Sequence, residues 1–407
     1  VVPPRSGEIN LRLYGANATD DTLSAVALLD SLFYNNAVRV VARFDAIEDT
    51  LADFSNIVSS SLDSALWISR AGAAGDTPDN YFTITIDADS VSGTADLINF
   101  PVLLTADNFP DEAKDSDLGT VFAGGGIRFV DAVGDTLPRE IVDFTPNSTP
   151  GSATAEIWVL VDTLSYNNDT VITCAYFSGY SEPDSSDTYG MRSVWADYNG
   201  VWHLNDLTTT TVLNSSSLGI DGVKIAANVP NEVAGKIGQA QDFDVSAASY
   251  INVTDSAYNF TGDFTFSAWI NAASVANNKA IFNKRLNVTY QYQFRHAPSV
   301  LSLLCTGGSV TGSTTISTST WYHVSCTRDA DGNTVIYLNG ESDGSDTSDT
   351  ITTQALSVYI GYDGGQAFDG VIDNMMVLDE VRSGDWIATE YSNQNTPATF
   401  AIEGALQ

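Results

Sequence analysis

From Tyr81 onward the chain is written in short apolar and polar alternations. Phe82, Ile84 and Ile86 alternate with Thr83, Thr85 and Asp87, the period of two that a half-buried strand needs. Further short apolar runs follow at Phe100–Leu104, Ile127–Val130, Glu156–Val161 and Val171–Tyr176, separated by Gly, Asp and Asn turn signals. The stretch Trp321–Gly340 predicts a hairpin. Trp321, His323 and Ser325 alternate with Tyr322, Val324 and Cys326, Asp329 to Asn333 break the strand, and Thr334–Tyr337 restarts it. Such a series of strands predicts antiparallel β-sandwiches.

Helical spacing is confined to the two ends. Asp20-Asp21-Thr22 can cap a helix carrying Leu23, Val26, Leu29 and Phe33, and Phe44, Ile47, Leu51 and Phe54 form a second apolar stripe. Near the other end, Ser383 is placed to cap a helix running to Gln394, with Asp385 in its acidic first turn. Ala71–Asn80 reads as a linker. The expected organisation is therefore a helical connector or assembly region at 1–79, a β-sandwich at 80–194, and a larger β-domain with its C-terminal helix at 195–407.

A chain of 407 residues that is 43% hydrophobic can fill more than one core. Its 51 acidic and 17 basic residues give a formal charge of −34. A surface so acidic repels phosphate backbones and excludes nucleic acid as a partner. It suits a saline or extracellular medium and favours divalent cations. No run approaches the roughly 18 apolar residues of a membrane span. Of the three cysteines, Cys305 and Cys326 could pair or stand as two buried thiols.

Four ordered motifs carry a resemblance. Gly235-Lys236-Ile237-Gly238-Gln239-Ala240 leads to Phe243, and Phe264-Thr265-Phe266-Ser267-Ala268-Trp269-Ile270 follows. The Trp321–Gly340 hairpin comes next, then Phe368-Asp369-Gly370 with Ile372-Asp373 and Val377. In this order they resemble the laminin-G/pentraxin-like, concanavalin A-like jelly rolls. Leu137-Pro138-Arg139-Glu140-Ile141, Trp158-Val159 and Val201-Trp202-His203-Leu204 resemble an uncharacterised β-domain of bacterial, archaeal and phage surface proteins, which commonly precedes such a jelly roll. The resemblance spans roughly residues 80–407. It implies a mainly β protein of two antiparallel sandwiches, the second a concanavalin A-like jelly roll, behind a short helical N-terminal region.

The jelly-roll resemblance raises three kinds of chemistry. Its glucanase branch uses a carboxylate triad on one strand, and Glu182-Pro183-Asp184-Ser185-Ser186-Asp187 and Glu341-Ser342-Asp343-Gly344-Ser345-Asp346 come near it. Both end in Asp and are read as lying in a connection and a turn, so no catalytic residue is assigned. A polysaccharide-degrading enzyme is thus the remote reading. His203, His296 and His323 lack zinc-binding partners in sequence. The resemblance implies a structural calcium at Asp373, with the Asp343, Asp346 and Asp349 run as a second place for one.

Sugar binding needs an aromatic platform beside amide or carboxylate side chains. By residue type Trp269, Tyr290, Tyr292, Tyr359 and Tyr362 qualify. Tyr362, with Asp363 and Gln366 on a predicted loop, is the expected carbohydrate site. The expected function is non-catalytic adhesion or recognition of glycans or cell-surface polysaccharide, on a cell or virion surface. The alternative is a structural or decoration subunit of a virion or surface filament. Residues 1–79 are expected to self-associate or to bind other virion or surface subunits.

Overall fold

A computed structural model describes residues 78–407, apart from 115–123, 148, 150, 208–209, 226–228, 254–255, 287, 348–349 and 363–366. The helices and the assembly role expected within residues 1–79 lie outside the described residues.

The first sandwich contains β1 (Asn80–Ile86), β2 (Leu97–Thr105), β3 (Ile127–Val130), β4 (Thr136–Leu137), β5 (Arg139–Thr145), β6 (Thr154–Leu164) and β7 (Thr170–Tyr176). The predicted alternation in β1 is obeyed, with Phe82, Ile84 and Ile86 fully buried. A three-stranded sheet runs β2-β6-β5. The other sheet is completed from the far end of the chain, where Ala401–Glu403 pairs antiparallel with β1. The span 195–407 therefore lends its last strand to the sandwich that precedes it.

The second sandwich begins with β8 (Gly200–Trp202), β9 (Thr211–Val212), β10 (Gly222–Ile225), β11 (Asn231–Ala234), β12 (Gln239–Phe243) and β13 (Tyr250–Val253). It continues through β14 (Phe264–Ala272), β15 (Lys279–Leu286), β16 (Thr289–His296), β17 (Leu301–Cys305) and β18 (Gly308–Thr311). It closes with β19 (Trp321–Arg328), β20 (Thr334–Leu338), β21 (Glu341–Asp346), β22 (Val358–Ile360) and β23 (Gly370–Leu378). One sheet runs β18-β17-β16-β15-β22-β13-β10-β9, and the other runs β11-β12-β23-β14-β19-β20-β21 with β8 added against β23. This is the expected jelly roll.

Phe264, Phe266, Phe282, Tyr292 and Phe294 fill the space between these sheets. Burying each such ring contributes about 1.5–3 kcal/mol. Cys305 and Cys326 share this core, and all three cysteines are buried and outside any disulfide. The predicted hairpin forms as β19 and β20, in register from Arg328 opposite Thr334 to Val324 opposite Leu338. It departs from expectation in one respect. Val324 and Cys326 face the core, yet His323 and Ser325 on the opposite face are buried as well.

The cover over that second face is the helix Gly384–Asn395. Ser383 caps it, accepting a hydrogen bond from the Trp386 N–H at 3.1 Å. Trp386 and Ile387 pack into the core of the first sandwich, while Tyr391 packs against the group formed by Trp158, Trp195 and Trp269. The helix is thus wedged between the two sandwiches. Asn393 binds the β2 backbone, accepting from the Leu103 N–H at 2.7 Å and donating to its carbonyl at 3.0 Å.

Candidate functional site

The strands that face solvent on the second sandwich set the candidate surface. In β13, Ile251 and Val253 enter the core, so Tyr250 and Asn252 point the other way. In β22 the core residues are Val358 and Ile360, which turns Tyr359 outward. Register then aligns one row across the sheet. Asn252 lies opposite Tyr359, Tyr359 opposite Asn283, and Asn283 opposite Gln293.

Tyr362 joins this row at its edge. Gly361, at φ +77°, turns the chain out of β22, and a Cβ there would sit 2.4 Å from the Phe243 ring. Only glycine fits that approach. The Tyr362 ring then stacks on Tyr250 with centroids 4.5 Å apart and planes inclined by 13°. Tyr359 meets both rings edge-on, at 5.7 Å and 5.8 Å. All three tyrosines are half-buried, which leaves part of each ring on the surface.

Below them lies an amide pair. Asn283 donates to the Tyr362 carbonyl, and Gln293 accepts from the Arg285 guanidinium at 2.6 Å. Asn283 Oδ1 and Gln293 Nε2, one acceptor and one donor, have no partner among the described residues. Of the predicted sugar-binding residues, Tyr362 stands in this group, while Asp363 and Gln366 lie outside the described residues. Tyr250 was missed, although the alternation Tyr250-Ile251-Asn252-Val253 places it on the outward face.

Other aromatic residues of the right type are architectural. Trp269 is buried, donating from Nε1 to Gln394 Oε1 at 2.7 Å, and Tyr292 lies in the core with its hydroxyl on the Tyr258 carbonyl at 3.0 Å. Tyr290 is half-buried beneath the Arg285 guanidinium, 5.8 Å from its ring centroid.

Asp373, expected as a calcium ligand, is fully buried in the seam between the sandwiches. Its Oδ2 accepts from the Lys236 and Ile237 N–H groups at 2.8 and 2.9 Å, and its Oδ1 accepts from Asn374 Nδ2 at 2.8 Å. Burial, with the Glu156 carboxylate nearby, pushes its pKa well above the usual carboxylate range. Calcium takes six to eight oxygens, whereas the groups hydrogen-bonded to Asp373 are nitrogen donors. Among the described residues no group of three or more His, Cys, Asp or Glu side chains gathers to hold a metal.

The near-triads serve local structure. Glu182 pairs through both oxygens with the buried Arg139 guanidinium, at 2.5 and 2.9 Å. Glu341–Asp346, expected in a turn, forms the edge strand β21, because pairing with β20 supplies the hydrogen bonds its Gly and Ser residues do not promise. Asp343 within it accepts from the Ser313 hydroxyl at 3.1 Å and the Thr314 N–H at 2.9 Å. Asp349, from the second expected calcium run, lies outside the described residues.

The seam holds a polar cluster that sequence reasoning did not bring together. Glu140 on β5, Glu156 on β6, His203 after β8 and Asn374 on β23 are all buried there. Glu140 accepts from Trp195 Nε1 at 2.5 Å and from the Ser215 hydroxyl at 2.6 Å. Gly238 lies against this group, since a Cβ would come 2.6 Å from Glu156 Oε2. The available signal was a glutamate set directly before Ile157-Trp158-Val159. A second buried pair ties the helix down: Glu390 Oε1 lies 3.0 Å from His323 Nε2 and accepts from the Ser267 hydroxyl at 2.7 Å.

The sheet order and the two-faced burial define a concanavalin A-like jelly roll. Residues 245–388 match the family model of the concanavalin A-like lectin/glucanases superfamily. Among solved structures, the chain is similar to domain 4 of an extracellular arabinanase from Geobacillus stearothermophilus, in complex with arabinotriose. Identity is 17%, the TM-score is 0.41, and the match covers 48% of this chain and 98% of that one. The binding domain of Paraclostridial Mosquitocidal Protein 1 matches at 13% identity and a TM-score of 0.39, over 48% of this chain and 52% of that one. The receptor binding domain of botulinum neurotoxin mosaic serotype C/D matches at 15% and 0.39, over 49% and 51%. The match spans about half the length of these two toxin domains. No curated protein matches the sequence. No helix among the described residues is long and apolar enough to cross a membrane.

Proposed function

We propose that this protein recognises glycans without catalysing a reaction, through the outer face of the jelly roll around Tyr250, Tyr359 and Tyr362. The observation that carries this reading is the three-tyrosine group set beside the amide row of Asn252, Asn283 and Gln293. A pyranose has one apolar face that stacks on an aromatic ring, and hydroxyls that need both donors and acceptors. The half-exposed rings supply the first, and the half-buried Asn252 amide beside them supplies the second, while Asn283 and Gln293 lie fully buried beneath. So shallow a surface binds weakly per site, and adhesion outside the cell would draw its strength from several copies. The first sandwich acts as the mount that presents this face.

A glycan-array measurement tests the reading. The full chain is expected to bind a subset of glycans, and Tyr250→Ala or Tyr362→Ala to weaken that binding by about tenfold, with folding retained. Binding that survives both substitutions unchanged sinks the assignment of this face. Polysaccharide cleavage by the full chain sinks the non-catalytic part.

A further inference from the structure

The His203 ring stands between hydrogen-bond acceptors from both sandwiches. Its Nε2 lies 3.0 Å from Glu140 Oε2, on β5 of the first sandwich. Its Nδ1 lies 2.7 Å from Asn374 Oδ1, on β23 of the second, with Glu156 Oε1 of β6 at 3.3 Å. The Asn374 amide is oriented by Asp373, to which its Nδ2 donates at 2.8 Å, and this turns its oxygen toward the ring. Glu140 is likewise oriented as an acceptor, by Trp195 and Ser215.

A neutral imidazole carries one N–H and would leave one of these contacts between two lone pairs. An imidazolium satisfies both. The charged and titratable groups that face or neighbour the ring are Glu140, Glu156, Asp373 beyond Asn374, and Asp206 on its own segment. The Lys236 ammonium, on the turn before β12, is taken by Asn395 Oδ1 at 2.9 Å. The Trp158 and Trp195 rings close the remaining sides, with centroids 5.9 and 5.8 Å from the imidazole.

We propose that His203 is a doubly protonated bolt between the two sandwiches, and that losing its proton in alkaline solution loosens the seam. Burial works against the charge, and the carboxylates of Glu140 and Glu156 outweigh it, so the ring holds its proton well above the ordinary value of 6.5. A proton affinity raised by folding contributes stability that is full below the unfolded value. That contribution is lost as pH rises through the folded value. The seam therefore loosens toward high pH.

Nitrogen NMR of the imidazoles in the full chain reads this directly. At about pH 8, where a free imidazole is neutral, His203 is expected to carry protons on both ring nitrogens, and a neutral His203 overturns the proposal. The amides of β6, β8 and β23 are expected to exchange faster once the ring titrates, and exchange that ignores the titration overturns the coupling. Glu156→Gln is expected to shift the His203 midpoint downward while keeping the fold, and an unmoved midpoint counts against the proposal. In His203→Gln the unfolding midpoint is expected to lose its alkaline decline. Should that variant not fold, the Glu156→Gln titration and the wild-type spectrum decide alone.

Discussion

The seam between the sandwiches and the outer face of the jelly roll both set aromatic rings beside polar side chains, and they do opposite things. In the seam, Trp158, Trp195, Trp269, Glu140, Glu156 and His203 are buried, and their polar atoms are spent on buried partners there. On the outer face, Tyr250, Tyr359 and Tyr362 remain half-exposed beside the half-buried Asn252, above the buried amides of Asn283 and Gln293. Aromatic and polar residues therefore do not mark a binding surface by type. Exposure does.

The largest test of this contrast is Trp158→Ala, which empties the centre of the seam. It is expected to cost about 3–5 kcal/mol in denaturant unfolding, while any folded fraction keeps its glycan affinity. A simultaneous loss of affinity would show that the face depends on the seam.

A pH series comes next and uses another buried imidazole as the counterpart of His203. Burial, with Lys279 and Arg295 nearby, lowers His296 to about 4. Its stability contribution is present above the unfolded value near 6.5 and is lost as pH falls toward about 4, up to about 3 kcal/mol. His203 acts in the other direction, so thermal stability is expected to decline on both sides of neutrality. A flat acid limb would count against a buried neutral His296.

Glu390→Ala leaves the His323 ring and the Ser267 hydroxyl without their shared acceptor. The expected loss is about 1–3 kcal/mol, with hydrogen exchange rising in the C-terminal helix first. On the outer face, Tyr359→Ala is expected to change stability by less than about 1 kcal/mol and to weaken glycan binding several-fold. A stability loss as large as that of the seam variants would make Tyr359 a core residue. The smallest effect is expected from chelation. With N–H donors around Asp373, removing calcium is expected to shift the melting temperature by less than about 2 °C, and a larger drop would restore calcium as a structural ion.

Much of the architecture was written locally. Alternation at Phe82, Ile84 and Ile86 announced β1, Trp321–Gly340 announced the central hairpin, and Ser383 announced the cap of its helix, because strand period and capping act within a few residues. The candidate site was half legible. Tyr362 was recognised from the loop composition around it, but its stacking partner Tyr250 is more than a hundred residues away.

No local pattern could say that His323 would be covered by a helix from beyond the last strand of the jelly roll. Nor could it say that Ala401–Glu403 would return to pair with β1, or that His203 would meet Glu140 and Asn374. Periodicity settles which face of a strand is apolar, since that follows from neighbours two residues apart. Which polar side chains share a proton depends on strands brought together from distant parts of the chain, and so belongs to the folded molecule.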